Sequence, residues 1–289
     1  MRITDLVKIA TEAIFERRTR AILTIIGIAI GPLIVTAIMA SVQGLAVSAI
    51  GLINKDVAPQ VILVFPTGNQ YISPYMVEVI SQIPGVKEVV PFYLIPATMF
   101  TKDGPKPVTI VSANLQQLQT VLPGLGLQNG VFPSESSINE VDVGYHVWTP
   151  LYPNQPTFKT GDLITVSVIM PNGGEKSLTL IVSGELKDFS VGVGFDINRD
   201  LIASEAFGRD IYGSEYSGVF VLASSLNDVE EVANTIKQDL GSYVQVATAE
   251  EVVNFIQQQV ASFNLLLLIV GSASFIVAFI SILTTMLTS

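Results

Sequence analysis

The sequence contains no cysteine and a single histidine, His146. Without cysteine there are no disulfide staples and no thiolate chemistry. A domain of about 200 residues folds around its own core without them, so export is compatible with their absence. One histidine leaves a zinc site to be built mainly from carboxylates. A Ser-His-Asp triad would have to use His146, which no Gly-x-Ser-x-Gly elbow accompanies. There is no G-x-x-x-x-G-K-[ST] loop, so the chain binds no ATP through a P-loop. Gly124-Leu-Gly126-Leu-Gln-Asn-Gly130 has the wrong final spacing for a dinucleotide loop, and with Pro123 before it reads as a turn. Asp196, Asp200, Glu205, Asp210 and Glu215 lack the alternate spacing of a calcium loop and read as solvated surface.

Charge is also scarce. Only 14% of residues are charged while 49% are apolar, against about 25% charged in soluble domains. The deficit has a location: residues 21–54 and 252–289 contain no Asp, Glu, Lys or Arg. Crossing the hydrocarbon core takes about 20 apolar helical residues, and both stretches exceed that. They are predicted spans, and neither carries an ionisable group that would form an ion relay. The first apolar run also exceeds the roughly 7–15 residues of a signal-peptide core, despite a loose cleavage-like Ala46-Val47-Ser48.

What charge there is divides unevenly. Residues 1–20 carry five basic and three acidic side chains, whereas residues 55–251 carry ten basic and twenty-two acidic. Basic residues beside a span stay in the cytoplasm, so Arg17, Arg18 and Arg20 predict a cytoplasmic N-terminus. The acidic domain is then extracytoplasmic, in the cell (inner or plasma) membrane. With no basic stripe, nucleic acid is excluded as a partner.

Periodicity supplies the elements. Ile3, Leu6, Val7, Ala10, Ile14 and Phe15 give an amphipathic leader helix lying on membrane lipid or against a cytoplasmic partner. Gly27 and Gly31, four residues apart, and the small residues Gly271 and Ser274 are the expected helix-packing positions. Pro32 is expected to bend the first span. Beyond it, residues 61–65 read as a strand, 75–82 as a helix capped by Ser73 with Pro74 at its first position, and 87–101 as a strand. A second strand–helix–strand unit spans 218–223, 227–240 and 243–247. Between the two units, strands at 163–170 and 177–184 flank the hairpin signal Pro171-Asn-Gly-Gly174. Thr248 can cap a final helix.

The predicted fold class is therefore membrane α-helical plus extracytoplasmic α+β. Its parts are a cytoplasmic helix (1–20), a first transmembrane helix (21–43) and the first half of an α/β subdomain (44–110). An inserted β-rich subdomain (111–215), the second half (216–248), a stalk helix (249–262) and a second transmembrane helix (263–289) follow.

Arg17-Arg-Thr-Arg-Ala-Ile-Leu-Thr-Ile-Ile-Gly-Ile-Ala-Ile-Gly31 closely resembles the opening of MacB-type (FtsX-like) ABC transporter permeases. Ile83-Pro-Gly-Val-Lys-Glu-Val-Val-Pro91, Lys159-Thr-Gly-Asp-Leu-Ile164, Ser183-Gly-Glu-Leu186 and the tail Ile282-Leu-Thr-Thr-Met-Leu-Thr-Ser289 extend that resemblance over the whole chain. It implies a non-catalytic permease subunit with no cofactor of its own. ATP and Mg would enter only through a separate ABC ATPase subunit. The permease would act as a homodimer or heterodimer, transmitting ATP-driven movement to the extracytoplasmic domain for export or mechanotransmission, with an extracytoplasmic protein partner also compatible. Such permeases usually have four spans, so the chain reads as truncated after the second or as a half-length relative. The alternative is a membrane-anchored binding or scaffolding protein without ATPase coupling. A third possibility, an anchored hydrolase, would need a site around His146. No residue identifies a substrate.

Overall fold

The computed structural model describes residues 18–68, 70–149, 157–189 and 195–287. The expected leader helix and Arg17 lie outside them, as do the side chains of Arg18 and Arg20 and the surroundings of Gly27. The chain forms two compact units. One comprises the residues up to Ser48 and from Asn254 onward, the other Ala49–Val253.

The first unit belongs to two long helices, α1 (Arg18–Asp56) and, at the other end of the chain, α7 (Ala249–Leu287). Their most apolar stretches lie within Ala29–Asp56 and Ala249–Ile280, have mean hydropathies of 2.0 and 2.4 and are almost uncovered by protein. A soluble core helix of that composition would be covered by protein. These faces are bare and need lipid. The helix α1 does not stop at the expected end of the span but continues to Asp56, through the cleavage-like residues 46–48. Its last turn is held because Ile53 and the following Val57 are buried in the second unit.

That unit begins with two interleaved strand–helix–strand segments. The first is β1 (Val61–Pro66), α2 (Pro74–Ser81) and β2 (Val86–Thr101). The second is β9 (Gly218–Ala223), α6 (Val229–Leu240) and β10 (Val244–Thr248). The strand order β10-β1-β9-β2 puts one strand of each segment between the two strands of the other. Ser73 caps α2 by accepting from the Met76 amide at 3.3 Å, with Pro74 where a missing N–H costs nothing. Both faces of β1 and β9 are buried, which is why they read as unbroken apolar runs. Ile62, Val64, Val219 and Val221 pack under α2 and α6 against Ile80, Val232 and Ile236.

The inserted segment adds β3 (Gly104–Ala113), α3 (Leu115–Val121), β4 (Leu127–Gly130), β5 (Glu140–Val143), α4 (Tyr145–Trp148), β6 (Leu163–Ile169), β7 (Glu175–Leu186), β8 (Leu201–Ser204) and α5 (Glu205–Tyr212). Its pairings close on themselves: β2 joins β3, β3 joins β8, β8 joins β5, β5 joins β7, β7 joins β6, and β6 returns to β2. The strands alternate accordingly. In β6, Ile164, Val166 and Val168 point inward and Leu163, Thr165 and Ile169 outward. The inward set fills the ring with Ile95, Met99, Leu180 and Val182.

The α/β layer and the ring are welded rather than hinged. Strand β2 pairs with β9 over its first half and with β6 over its second. A third core lies between the layer's open face and the ring's outer wall. There Phe92 and Phe220 of the layer meet Val111 and Ile202 of the ring, with Leu118 of α3 and Phe195 beside them. The expected subdomain boundary at 110/111 falls inside β3.

Candidate functional site

The two long helices enter the soluble unit at one place. The strand β1 follows α1 after a four-residue turn, and β10 runs directly into α7. These strands pair antiparallel with Ile62 opposite Thr248, so the two attachment points are neighbours at one end of one ladder.

On the α1 side the turn is tied by backbone bonds. The Ala58 amide donates to the Val121 carbonyl at 3.1 Å and the Gly124 amide to the Asp56 carbonyl at 3.2 Å. The Ala223 amide reaches Gln60 at 3.0 Å, linking the turn to β9. A Cβ on Gly124 would lie 2.4 Å from Asp56 Oδ1 and 2.7 Å from its Cα, so only glycine permits this approach. The glycine-rich stretch that reads as a turn thus clamps the end of α1. Its last part, Leu127–Gly130, is strand β4.

On the α7 side, Thr248 and Glu251 form a reciprocal cap. The Glu251 amide donates to Thr248 Oγ1 at 3.0 Å, and the Thr248 amide donates to Glu251 Oε2 at 2.9 Å. Lys237 of α6 holds the other carboxylate oxygen at 3.1 Å.

Within the helical unit, Gly31 lies against Ser274, the position of an added Cβ being 3.2 Å from Ser274 Cβ. One turn on, a Cβ added at Gly271 would lie 3.5 and 3.6 Å from the Val35 methyl carbons. The structure thus brings Gly31, Gly271 and Ser274 into one contact. At this contact the Ser274 hydroxyl donates to Val270 and the Thr36 hydroxyl to Pro32, each on its own helix. Close approach is therefore what the small residues supply. Asn264, unmarked by any sequence signal, buries its Oδ1 without a hydrogen-bond partner.

The chemistry-bearing side chains are dispersed. His146 lies in α4 with its ring against Tyr145 and its Nδ1 buried without a partner. Among the described residues no three His, Cys, Asp or Glu side chains could hold a metal ion together. Where the parallel strands β3 and β8 lead into α3 and α5, a small cleft is lined by Asn114, Glu135, Glu205 and Arg209, with Arg209 already paired to Glu205. Asp200 departs from the expected solvated surface. It is buried and accepts the Thr109 amide at 2.9 Å and the Asp196 amide at 3.1 Å, and burial pushes its carboxyl up to about 6. Asp142 of β5 goes further. Burial, opposed by the Ser183 hydroxyl and aided by Glu140, raises it to about 7, and its Oδ2 has no partner. The sequence marks neither as buried, because both are held by partners distant in the chain, Thr109 for Asp200 and Ser183 for Asp142.

Residues 21–239, which run from α1 through the interleaved layer and the ring to α6, match the family model of the MacB-like periplasmic core domain. The chain belongs to that family. Among solved structures, the periplasmic region of MacB from Actinobacillus actinomycetemcomitans is 14% identical, with a TM-score of 0.49 over 71% of this chain and 95% of that one. The extracellular domain of the noncanonic ABC-type transporter YknZ from Gram-positive bacteria is 15% identical, with a TM-score of 0.45 over 65% of this chain and 100% of that one. No curated protein matches. Membership of the MacB-like family accords with two apolar helices flanking a mixed α/β domain, and its members are components of ABC transporter permeases.

Proposed function

We infer that the chain is the permease subunit of a MacB-like ABC transporter, transmitting ATP-driven movement from a separate ATPase to its extracytoplasmic domain. The observation that carries this reading is the common attachment of α1 and α7 to paired strands of one ladder. A relative displacement of the helices loads β1 against β10 directly. The layer behind them is close-packed and transmits strain rather than absorbing it. On this reading Gly31, Gly271 and Ser274 hold the helices together, with Gly27 as a further packing position. Arg17, Arg18 and Arg20 mark the cytoplasmic face, next to the ATPase and the lipid headgroups. The chain holds no cofactor itself, ATP and Mg being bound by the partner, and works as a dimer of permeases.

The test is co-purification from the native membrane in mild detergent, with mass spectrometry of the accompanying proteins. A P-loop ATPase in equal ratio supports the permease. Repeated recovery without one, under conditions that preserve known complexes, would favour the anchored scaffold.

A further inference from the structure

The β1–β10 ladder has two ends. At one, where Ile62 faces Thr248, the long helices attach; at the other, Pro66 faces Val244. Three connections meet at this second end: residues 67–75 after β1, 212–217 before β9 and 241–243 before β10. Six of the chain's eight tyrosines gather there. Tyr71, Tyr75, Tyr212, Tyr216 and Tyr243 belong to the connections, and Tyr93 reaches them from β2.

The connections are tied to one another and to the sheet. Ile72 and Tyr216 exchange backbone bonds at 2.8 and 2.9 Å, and the Thr67 amide donates to the Tyr243 carbonyl at 2.8 Å. The Tyr93 hydroxyl donates to the Gly213 carbonyl at 2.8 Å. The rings of Tyr71 and Tyr212 meet edge to face, their centroids 5.8 Å apart. Each connection turns on a glycine with positive φ, Gly68, Gly213 or Gly241, a conformation other residues resist. A surface fixed in this way loses little freedom when something binds to it.

What it presents is aromatic and without cations. Tyr75, Tyr243 and Tyr71 are 73%, 57% and 36% exposed, and among the described residues of the three connections no other large apolar side chain is exposed. Gln70, Ser214 and Ser242 stand exposed beside them. The three connections contain no Lys or Arg and one carboxylate, Glu215.

We propose that this surface binds a neutral polysaccharide outside the membrane, of the type whose pyranose rings present flat C–H faces. The chemistry of the surface selects the occupant. A pyranose ring is apolar on its faces and hydroxylated around its rim. Tyrosine matches both, with an apolar ring and a polar tip, and the neighbouring amide and hydroxyl side chains supply donors and acceptors for the rim. A protein interface joins its tyrosines to Arg, Met and a continuous apolar core, none of which these connections offer. A polyanion would meet a domain with twenty-two acidic against ten basic side chains over residues 55–251 and be repelled. The proposal rests on the extracytoplasmic placement of the domain and not on coupling to an ATPase.

Cellohexaose and chitohexaose, neutral chains with such faces, test it by saturation-transfer difference NMR with the full chain in lipid nanodiscs. The expected result is transfer to the axial ring protons of at least one of them, and none to polygalacturonate. Tyr75→Ala combined with Tyr243→Ala should weaken the signal about five-fold or more, two stacking faces being lost, whereas Tyr75→Phe keeps it. Leu226→Ala, at an exposed position beyond the opposite end of β9, is the control and should change nothing. All these positions are exposed, so each variant should melt where the parent chain does. No transfer to either saccharide, or transfer that survives the double substitution, would overturn the proposal. So would a photo-cross-linker in place of Tyr75 that, in native membranes, joins a protein and no glycan. Binding is read without nucleotide or ATPase, so its failure and the failure of the permease reading are separate results.

Discussion

The interleaved layer and the ring are made of similar strands but treat polar groups differently. In the ring and its flanking loops, Ser112, Asp142, Ser167, Glu185, Asn198, Asp200 and Ser204 are buried. At the layer, among the described residues, the buried polar side chains are Asp56 and Thr248, and both stand where a long helix enters. An apolar, close-packed layer has few alternative arrangements and suits transmission. The ring folds around buried carboxylates, which makes its stability depend on pH, and leaves Asp142 Oδ2, Thr149 Oγ1 and His146 Nδ1 without partners. The contrast is between an apolar layer and a ring that buries carboxylates.

The largest effect should come from Phe92→Ala, which empties the core the two regions share. A cost of about 3–5 kcal/mol is expected. Thermal unfolding of the variant should still show one transition, because neither region keeps its cover alone. Two separate transitions would mean that the regions are independent.

The second prediction concerns the ring alone. Burial holds Asp142 and Asp200 at about 7 and about 6. The folded chain therefore keeps protons that the unfolded chain releases near pH 4. Stability should fall as pH rises from about 4 to about 7 and level off above. Asp142→Asn should flatten most of that slope, as melting temperature against pH will show. An unchanged slope would place the titration elsewhere.

At the junction the expected effects are smaller. Gly124→Ala forces a methyl into the backbone of Asp56, at about 1–3 kcal/mol by analogy with overpacking. Hydrogen exchange should quicken at residues 56–61 before the ring is affected. Thr248→Ala removes half of the reciprocal cap at about 1 kcal/mol, and faster exchange should be confined to the first turn of α7.

Local signals made much of the layer legible. The strand at Gly218–Ala223 follows from its continuous apolar run, α2 from Ser73-Pro74, and the β6–β7 hairpin from Pro171-Asn-Gly-Gly174. The strand β3 was hidden by Pro105 and Pro107, which argue against a central strand. They are tolerated because β8 pairs only with Ile110–Ala113, leaving their side of β3 without a neighbour that needs an N–H. Ring closure depends on pairing Ala97 with Val168, a contact no short window contains. At the junction, Pro123-Gly124 announces a turn, but that the turn grips Asp56 is visible only in three dimensions.

The central claim is that movement of the helices enters through the β1–β10 ladder. Hydrogen exchange of the full chain with its ATPase in lipid nanodiscs, with and without ATP, tests it most directly. The account predicts nucleotide-dependent exchange at residues 56–62, 121–124 and 244–251. Identical exchange at these residues in both states, with the ATPase shown to be turning over, would contradict it.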